Sequence, residues 1–253
     1  MKYFVVSDVH SFFDEMMNAL NKKGFDVDNP NHILVVCGDL FDRGGQAVEL
    51  LNFVQNLGDR FIYVRGNHED LLFDCYKELL LGRFPGSHHH SNGTIDTLCQ
   101  LTGLNYYALM VNTPERKEAF EQKLEPILDW INNKTIDCAE IGDYICVHGW
   151  IPCFSYLNDF RNADEDEWKQ ARWMNGMNMW MRHENRIDGK TIICGHWHCS
   201  WGWSHIRQER KEFPQKNRKD WLDSFEPFID DGIMAIDACT YYTGKVNCII
   251  IEE

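Results

Sequence analysis

The sequence predicts an α/β domain built around a parallel β-sheet, and two observations support this fold class. Five short apolar runs, rich in β-branched and aromatic residues, each end in charged or imidazole side chains. Between the first three runs, apolar residues recur at helical spacing, so the chain begins with a β-α-β-α-β order. A length of 253 residues suits one substantial hydrophobic core, and we assign residues 1–253 to a single domain.

The predicted elements alternate along the first part of the chain. The five strands occupy residues 3–6, 33–36, 61–64, 144–147 and 191–194. Two terminal strands are expected within residues 232–238 and 246–253. Helices are expected at residues 12–20, 48–57 and 69–81, and again within about 164–186. A glycine stops each of the first three helices: Gly24, Gly58 and Gly82.

Residues 83–137 break this alternation and are expected to form a helical insertion beside or over the crevice at the end of the sheet. The stretch "RFPGSHHHSNG", residues 83–93, is typical of a surface loop. Thr113 as the cap and Pro114 at the first position predict the start of a helix, which Pro126 kinks or divides.

Charge and apolar content exclude several classes of protein. The formal net charge of −14 disfavours binding to nucleic acid and to anionic membranes. No apolar run approaches the roughly 20 residues that span a bilayer. The N-terminal run lacks the long apolar region of a signal peptide, which predicts a cytoplasmic protein. The ten cysteines form no CxxC spacing and several lie inside apolar runs, as small buried hydrophobes do in a reducing compartment. The basic stretch at 207–219 also carries acids and predicts a solvated loop.

Side chains that can bind metal ions follow the predicted strands. The carboxyl ends of parallel strands meet at one edge of a sheet, so these side chains can share one crevice. Carboxylates, an amide oxygen and imidazoles without a thiolate suit manganese, iron or zinc. Six or seven such ligands suit two ions about 3.5–4 Å apart, bridged by one carboxylate. The candidate ligands are Asp8, His10, Asp39, Asn67, His148, His196 and His198.

The motifs around these residues resemble those of the calcineurin-like metallophosphoesterases. "DVH" at residue 8, "GDLFDRG" at 38, "GNHE" at 66, "HG" at 148 and "GH" at 195 occur in the order that the family has. The second and third motifs are similar to the phosphoprotein phosphatase branch, which includes bacterial and phage-like serine/threonine phosphatases and symmetrical diadenosine tetraphosphatases. Residues 235–253 are similar to the closing β-hairpin of the family. The resemblance implies a β-sandwich of two mixed sheets flanked by helices, with the helical insertion inside it.

The resemblance also implies how two divalent metal ions would be held, with manganese preferred to iron or zinc. Asp8 and His10 would bind the first ion, and Asp39 would bridge the two. The ligands of the second ion would be Asn67, His148 and His196. A hydroxide that bridges the ions would attack phosphorus in line.

Four further residues acquire roles from the same resemblance. His68 would protonate the leaving oxygen, and Asp42 would fix the tautomer of its ring. Arg43 would bind the phosphate oxygens through its planar guanidinium. A second phosphate-binding arginine is expected before the last motif, and we nominate Arg182. Its alternatives are Arg172 and Arg186.

Two motifs depart from the usual pattern. The first carries Ser7 and Ser11 where the family usually has glycines. The last reads "GHWH", and His198 either binds the first metal or supports a residue that does. Its presence favours small-molecule or diester substrates.

Several other side chains have a structural interpretation that we prefer. Asp237 is expected to brace a strand end, and His88, His89 and His90 are expected in a surface loop rather than on a metal. Three tryptophans near the last motif could stack on a nucleobase, but we expect them to serve packing: Trp197, Trp201 and Trp203.

These residues predict a dinuclear metal-dependent phosphoesterase that hydrolyses phosphomonoesters, as a phosphoprotein serine/threonine phosphatase does. Arg43 favours this reading because an arginine clamp suits a terminal phosphate dianion. The alternatives are a diadenosine tetraphosphate hydrolase and a phosphodiesterase of the same superfamily. An inactive scaffold is the remote alternative, and the intact set of His68, Asp42 and Arg43 argues against it. The partner is expected to be a phosphorylated protein or a small-molecule phosphate.

Overall fold

Two five-stranded mixed sheets form the centre of the molecule in the computed structural model. The structure describes residues 1–153, 159–183, 187–209 and 224–253. The first sheet contains β1 (Lys2–Val6), β2 (His32–Cys37), β3 (Phe61–Val64), β4 (Thr135–Ile136) and β10 (Ile249–Glu252). The second contains β5 (Ala139–Ile141), β6 (Tyr144–Cys146), β7 (Thr191–Cys194), β8 (Phe228–Asp230) and β9 (Ile233–Ala235). The predicted fold of two mixed sheets is confirmed.

Strand pairing places the polar ends of the central strands at one edge. The first sheet has the order β10-β1-β2-β3-β4, and β1 to β4 run parallel while β10 pairs antiparallel with β1. The second has the order β5-β6-β7-β9-β8, with a parallel centre and antiparallel edges. Because Val6 lies opposite Val36, and Cys146 opposite Ile193, neighbouring strands end level with one another.

The core occupies both faces of each sheet, which explains the uninterrupted apolar runs of the strands. Val5 and Val35 of the first sheet meet Cys146 and Ile193 of the second in the space between the sheets. Their sequence neighbours point the opposite way, because side chains alternate along a strand, and they pack under helices.

Helices cover the outer face of each sheet. The first sheet is covered by α1 (Phe13–Lys22), α2 (Ala47–Leu57) and α3 (Asn67–Leu80), close to the predicted bounds. The second is covered by α9 (Glu165–Ala171), α10 (Gly176–Met181) and α11 (Cys199–Glu209). No helix within the described ranges is both long and apolar enough to cross a bilayer. Most of the basic stretch at 207–219 lies outside the described residues.

The insertion is helical, as its start at Pro114 suggested. It contains α4 (Ser87–Ser91), α5 (Thr94–Thr102), α6 (Tyr106–Met110), α7 (Pro114–Ala119) and α8 (Glu125–Lys134). Thr113 caps α7 by accepting a hydrogen bond from the Arg116 amide at 3.2 Å. A π-helical turn, Phe120–Leu124, joins α7 to α8 just before Pro126. Since proline cannot donate to the preceding turn, this wider turn lets the helix pass Pro126 without a break.

The surface-loop prediction for residues 83–93 is wrong, because α4 lies within this stretch and the His89 side chain is fully buried. Gly93 follows α4 with φ of +81°, and its Cα packs against the backbone of Arg43. This contact fixes the segment to the body of the protein, which a sequence pattern rich in polar residues does not reveal.

The predicted closing hairpin is also wrong, because its two strands belong to different sheets. After β9, the chain turns at Cys239 with φ of +56° and forms α12 (Thr240–Thr243). It then enters β10, where Ile251 pairs with Tyr3 of β1 in the other sheet. The final segment therefore connects the two layers of the sandwich.

Candidate active site

A small cavity lies at the edge where the central strands of both sheets end. Six of the seven predicted ligands line it: Asp8, His10, Asp39, Asn67, His196 and His198. The seventh, His148, is buried behind Asn67, and its Nε2 atom lies 2.8 Å from Oδ1 of that residue. The fold therefore brings together side chains that lie as much as 190 positions apart (8 to 198) in the chain.

The loops that carry these residues have unusual backbone geometry. Nine non-glycine residues of the described chain have positive φ, and all but His183 belong to loops around the cavity. Such conformations cost about 1–3 kcal/mol each and persist only where the surroundings enforce them. Here the first two loops enforce each other, since the amides of His10 and Ser11 donate to the carbonyls of Asp39 and Leu40 at 3.0 and 2.8 Å.

Backbone carbonyls fix the tautomers of two candidate ligand histidines. Nδ1 of His10 lies 3.0 Å from the Phe41 carbonyl, and Nδ1 of His148 lies 2.9 Å from the Cys37 carbonyl. A carbonyl oxygen can only accept, so each Nδ1 carries the proton. In the neutral rings, Nε2 is then left with a lone pair, which is the form that binds a metal ion.

One group of acceptor atoms converges around His148. Its Nε2 lies 2.8 Å from Asn67 Oδ1 and 3.3 Å from Asp39 Oδ1. Ligand atoms of Asp39, His148 and His196 all lie within 4.8 Å of one another. A carboxylate oxygen and two imidazole nitrogens this close together can hold a cation at their centre.

A second group shares the same carboxylate. Oδ2 of Asp39 lies 3.8 Å from Nε2 of His10 and 3.8 Å from Nε2 of His68. Asp8 lies beside this group, and its carboxylate accepts from the backbone amide of His196 at 3.0 Å. The two oxygens of Asp39 thus face two neighbouring positions, as a bridging carboxylate requires.

The electrostatics of the cavity agree with this donor set. Burial, followed by the charges of neighbouring histidines, lowers the pKa of His10 well below its usual value and that of His196 to about 2, so both rings are neutral. Burial raises the pKa of Asp39 to about 6, and burial with the nearby Asp8 raises that of Asp237. Crowded carboxylates that pair with no lysine or arginine of the described chain are suited to bound cations.

His68 differs from His10 and His148 because a carboxylate, not a carbonyl, binds its Nδ1. Burial opposes a charge on this ring, but the Asp39 charge and the hydrogen bond to Asp42 outweigh burial and raise the pKa of His68 to about 9. Its Nε2 lies 3.4 Å from Nη2 of Arg43, which also lines the cavity. The site therefore places an imidazole and a guanidinium beside the two groups of acceptors.

A family profile described as calcineurin-like phosphoesterase matches residues 1–230. The chain belongs to the calcineurin-like phosphoesterases. The resemblance predicted from the motifs is confirmed, and this family uses a dinuclear site of divalent metal ions.

Related sequences named as bis(5'-nucleosyl)-tetraphosphatases match parts of this calcineurin-like phosphoesterase. The symmetrical enzyme of Buchnera aphidicola subsp. Baizongia pistaciae is 37% identical over 31% of this chain and 28% of its own length. The asymmetrical enzyme PrpE of Bacillus subtilis is 37% identical over 30% of this chain and 35% of its own. The symmetrical enzyme of Vibrio campbellii is 26% identical over 69% of this chain and 56% of its own. The chain therefore spans less than two thirds of each of these curated relatives.

Solved structures share the fold of this calcineurin-like phosphoesterase over almost its whole length. A cold-active protein-tyrosine phosphatase of a psychrophilic Shewanella species covers 100% of this chain with a TM-score of 0.52 and 17% identity. This chain covers 75% of that protein. At this identity the likeness concerns the fold.

Glu69 supports the loops that carry the candidate ligands Asp39 and Asn67 of this calcineurin-like phosphoesterase, although sequence reasoning gave it no role. Its buried carboxylate accepts from the amides of Asp39, Leu40 and Gly66 at 3.0, 3.0 and 2.7 Å. It also accepts from the hydroxyl of Tyr63 at 2.6 Å. Four donors on one carboxylate hold the Asp39 loop and the start of α3 together. The only sequence signal is the position of Glu69 three residues into a helix, where a capping box is expected.

Arg182 does not reach the cavity. It ends α10 at an exposed position and is not among the described residues that line the cavity. Trp180, two residues earlier, packs on Phe228 of the second sheet, so Arg182 points about 200° away around the helix. Arg172 is buried in ion pairs with Asp70 at 2.9 Å and with two other carboxylates. Arg186 lies outside the described residues.

The tryptophans near the last motif divide into two kinds. Trp201 stacks on His205, and Trp203 packs on Phe228, so both serve packing. Trp197 is exposed beside His196. Trp173, which sequence reasoning placed in no site, lines the cavity with its ring 5.6 Å from that of His196.

Asp237 and His198 face each other at the rim of the cavity. Asp237 braces the strand end as predicted, since its Oδ1 accepts from the Cys239 amide at 2.6 Å. Its Oδ2 lies 3.8 Å from Nε2 of His198. Both residues line the cavity, so His198 stands where it could bind an ion or orient a carboxylate.

Proposed function

We propose that this protein is a metal-dependent phosphoesterase and that nucleoside polyphosphates are its substrates. The observation that carries the proposal is the shared carboxylate of Asp39, which faces one acceptor group at each oxygen, next to Arg43 and His68. Two divalent ions bound there would polarise a phosphoryl oxygen and activate water.

The protein's own residues supply substrate binding and proton transfer. Arg43 faces the cavity and would hold phosphoryl oxygens through paired N–H groups. His68 presents Nε2 to the same cavity and would donate a proton to the leaving oxygen. Asp42, bound to Nδ1 at 2.7 Å, keeps the ring in the orientation that this transfer needs. Burial of this pair keeps bulk water away from the proton.

The substrate class is favoured by the relatives, which are named as bis(5'-nucleosyl)-tetraphosphatases. A second candidate is a phosphorylated serine or threonine side chain. The motif pattern around Asp39 and His68 favours it, because that pattern resembles the phosphoprotein phosphatase branch.

A substrate panel with metal-stripped protein tests the proposal. The protein is treated with chelator, dialysed, and assayed with and without manganese on diadenosine tetraphosphate, a phosphopeptide, an aryl monoester and an aryl diester. We expect manganese-dependent turnover, with the highest kcat/KM on diadenosine tetraphosphate. Calorimetry should find two manganese ions per chain in the wild type and fewer in Asp39→Asn.

Each other result has a defined meaning. No turnover of any substrate, together with manganese binding below one ion per chain, would overturn the proposal. A higher kcat/KM on the phosphopeptide would replace the first candidate by the second, and a preference for the aryl diester would assign a phosphodiesterase.

A further inference from the structure

A groove next to the cavity opens on the far side of Arg43. It has a volume of about 370 Å³. Its walls come from the α4–α5 segment of the insertion and from α12. We call it the tyrosine groove; the residues that define it are Arg43, His90, Ser91, Asp96, Tyr241 and Tyr242.

The tyrosine groove and the cavity share three of their lining segments. Arg43 lines both. Asn92 lines the cavity, whereas Ser91 and Gly93 on either side of it line the groove. Thr240 lines the cavity and Tyr241 lines the groove. A substrate with its reacting phosphate at Arg43 therefore lies directly beside the groove.

The insertion wall of the groove is bound to the loop that carries Asp42 and Arg43. On α5, Thr94 donates to Asp42 Oδ2 at 2.9 Å, and Thr97 accepts from the Asp42 amide at 3.0 Å. Gln100, one turn further, donates to the Gly44 carbonyl at 3.0 Å. These three side chains recur every third residue and lie along one face of α5. The insertion is thus fixed relative to the catalytic loop.

The opposite wall is bound to the loop that carries Asp8 and His10. Thr240, the first residue of α12, donates its hydroxyl to the carbonyl of Asp8 at 2.8 Å. Thr243, in the same short helix, donates to the Ala238 carbonyl at 2.9 Å. Tyr241 and Tyr242 lie between these two anchors, so their backbone positions are set by the site itself.

The side chains of the groove suit a nucleoside. The rings of Tyr241 and Tyr242 are 54% and 70% exposed, and they meet edge to face at 5.0 Å, which leaves ring surface free for stacking. Asp96 is exposed in the same groove and can only accept hydrogen bonds when ionised, as from an exocyclic base amine or a ribose hydroxyl. Arg43 is the only lysine or arginine among the described lining residues of the groove. It stands at the end that adjoins the cavity with the candidate metal ligands.

We infer that the tyrosine groove binds the nucleoside end of the substrate, with the base on Tyr242, the more exposed of the two rings, and the phosphate chain running past Arg43. This inference rests on the proposed function and names the part of the protein that selects a nucleotide. An acidic residue beside free aromatic surface, with the positive charge confined to one end, matches a ligand that is anionic at one end and uncharged at the other.

The test compares two polyphosphates that differ in the nucleoside. Diadenosine tetraphosphate carries bases, and inorganic tripolyphosphate carries none. For Tyr242→Ala, we expect the ratio of their kcat/KM values to fall by about 5- to 150-fold, because a base–aromatic stack contributes about 1–3 kcal/mol. The matched control is Phe84→Ala, which removes a ring of 72% exposure that is absent from the described lining of both cavities, and it should leave the ratio at the wild-type value.

A binding measurement without metal separates this inference from the proposed function. Saturation-transfer NMR with adenosine and chelated protein should show transfer to the adenine protons, and Tyr242→Ala or Asp96→Ala should abolish it. Transfer that persists in both variants, with an unchanged kinetic ratio, would overturn the inference while hydrolysis itself continued. A selective loss of phosphopeptide turnover in Tyr242→Ala would also overturn it and assign the groove to a peptide. Failure of the proposed function would appear differently, as no turnover of either polyphosphate.

Discussion

The Nδ1 atom of His68 lies 2.7 Å from Oδ2 of Asp42, and both side chains are buried. The same oxygen accepts from Thr94 in the insertion at 2.9 Å. The proposed proton donor is therefore oriented by a carboxylate that the insertion in turn holds in place.

We predict that His68→Asn slows hydrolysis most for esters with poor leaving groups. An alkoxide needs a proton as it leaves, so kcat for an alkyl phosphate should fall by about 10²- to 10⁴-fold. A nitrophenolate leaves without help, and its kcat should fall much less. Steady-state kinetics on both esters measures the difference, with the exposed His183→Asn as control. Equal losses on both esters would contradict the role of proton donor.

Glu69→Gln should weaken both the fold and the binding of metal. The amide replaces one acceptor oxygen by a donor, which then faces backbone amides that need an acceptor. We expect a loss of about 2–4 kcal/mol in the free energy of unfolding, measured by urea titration. Manganese affinity, measured by calorimetry, should fall by about 10- to 100-fold because the Asp39 loop loses its support.

Tyr63→Phe is the matched control for Glu69→Gln. It removes one of the four donors to the carboxylate and leaves the amides paired. We expect it to lower the free energy of unfolding by about 1 kcal/mol and to change manganese affinity only slightly. If Glu69→Gln matched wild type in manganese affinity, the supporting role of Glu69 would be wrong.

Ser11→Gly should stabilise the protein. Ser11 has φ of +59°, a conformation that costs a residue with Cβ about 1–2 kcal/mol. Its hydroxyl is buried without a hydrogen-bond partner among the described residues, which adds to the cost. After the greater chain entropy of glycine is subtracted, we expect a gain of about 1 kcal/mol and a Tm higher by about 2–4 °C.

Ser204→Gly controls for the general effect of a serine-to-glycine change. Ser204 is exposed in α11, where the backbone is helical. Glycine there should lower the free energy of unfolding by about 0.5–1 kcal/mol, whereas Ser11→Gly should raise it. Calorimetric melting of both variants decides, and a destabilised Ser11→Gly would refute the strain assigned to this position.

Arg172 and Arg43 should respond in opposite ways to methionine substitution. Arg172 is 3% exposed and pairs with carboxylates of Asp70, Asp137 and Glu165 at 2.9, 2.6 and 3.1 Å. Removing it takes the cation from the buried Oδ2 of Asp70, whose Oδ1 keeps Arg65 at 2.8 Å, and should cost about 3 kcal/mol in the free energy of unfolding. Arg43→Met should instead raise KM for the phosphate ester with little loss of stability, because Arg43 faces the cavity. A raised KM for the phosphate ester in Arg172→Met, with unchanged stability, would instead show that Arg172 binds the phosphate.

The strands and first helices could be predicted because their apolar periodicity is local. The candidate ligands could be predicted as a group because parallel strands end at one edge, as β1 and β2 do. The structure of residues 83–93 could not be predicted, since this stretch packs against the body of the protein at Gly93 and Arg43, which are fifty residues apart in the sequence. The support from Glu69 was missed for the same reason, because only Gly66 of its four partners is next to its helix, and the fold alone brings in Asp39, Leu40 and Tyr63.

Arg182 illustrates a different limit. A motif fixes the residue type near a site but not the direction in which a short helix presents it. Here the anchoring of Trp180 on the second sheet decides that direction. The sequence also did not reveal which sheet the last strand joins. Both β9 and β10 are apolar, so either could pair in either sheet, but β9 joins the second sheet and β10 the first.

Asp8, Asp39 and Asn67 follow strands of the first sheet, whereas His148 and His196 follow strands of the second. If these residues hold the proposed metal ions, each layer of the sandwich supplies only part of the ligands, so the ions would bind fully only after the two layers have packed together. Metal binding would then report that both layers are assembled, and a partly folded chain would lack the proposed activity.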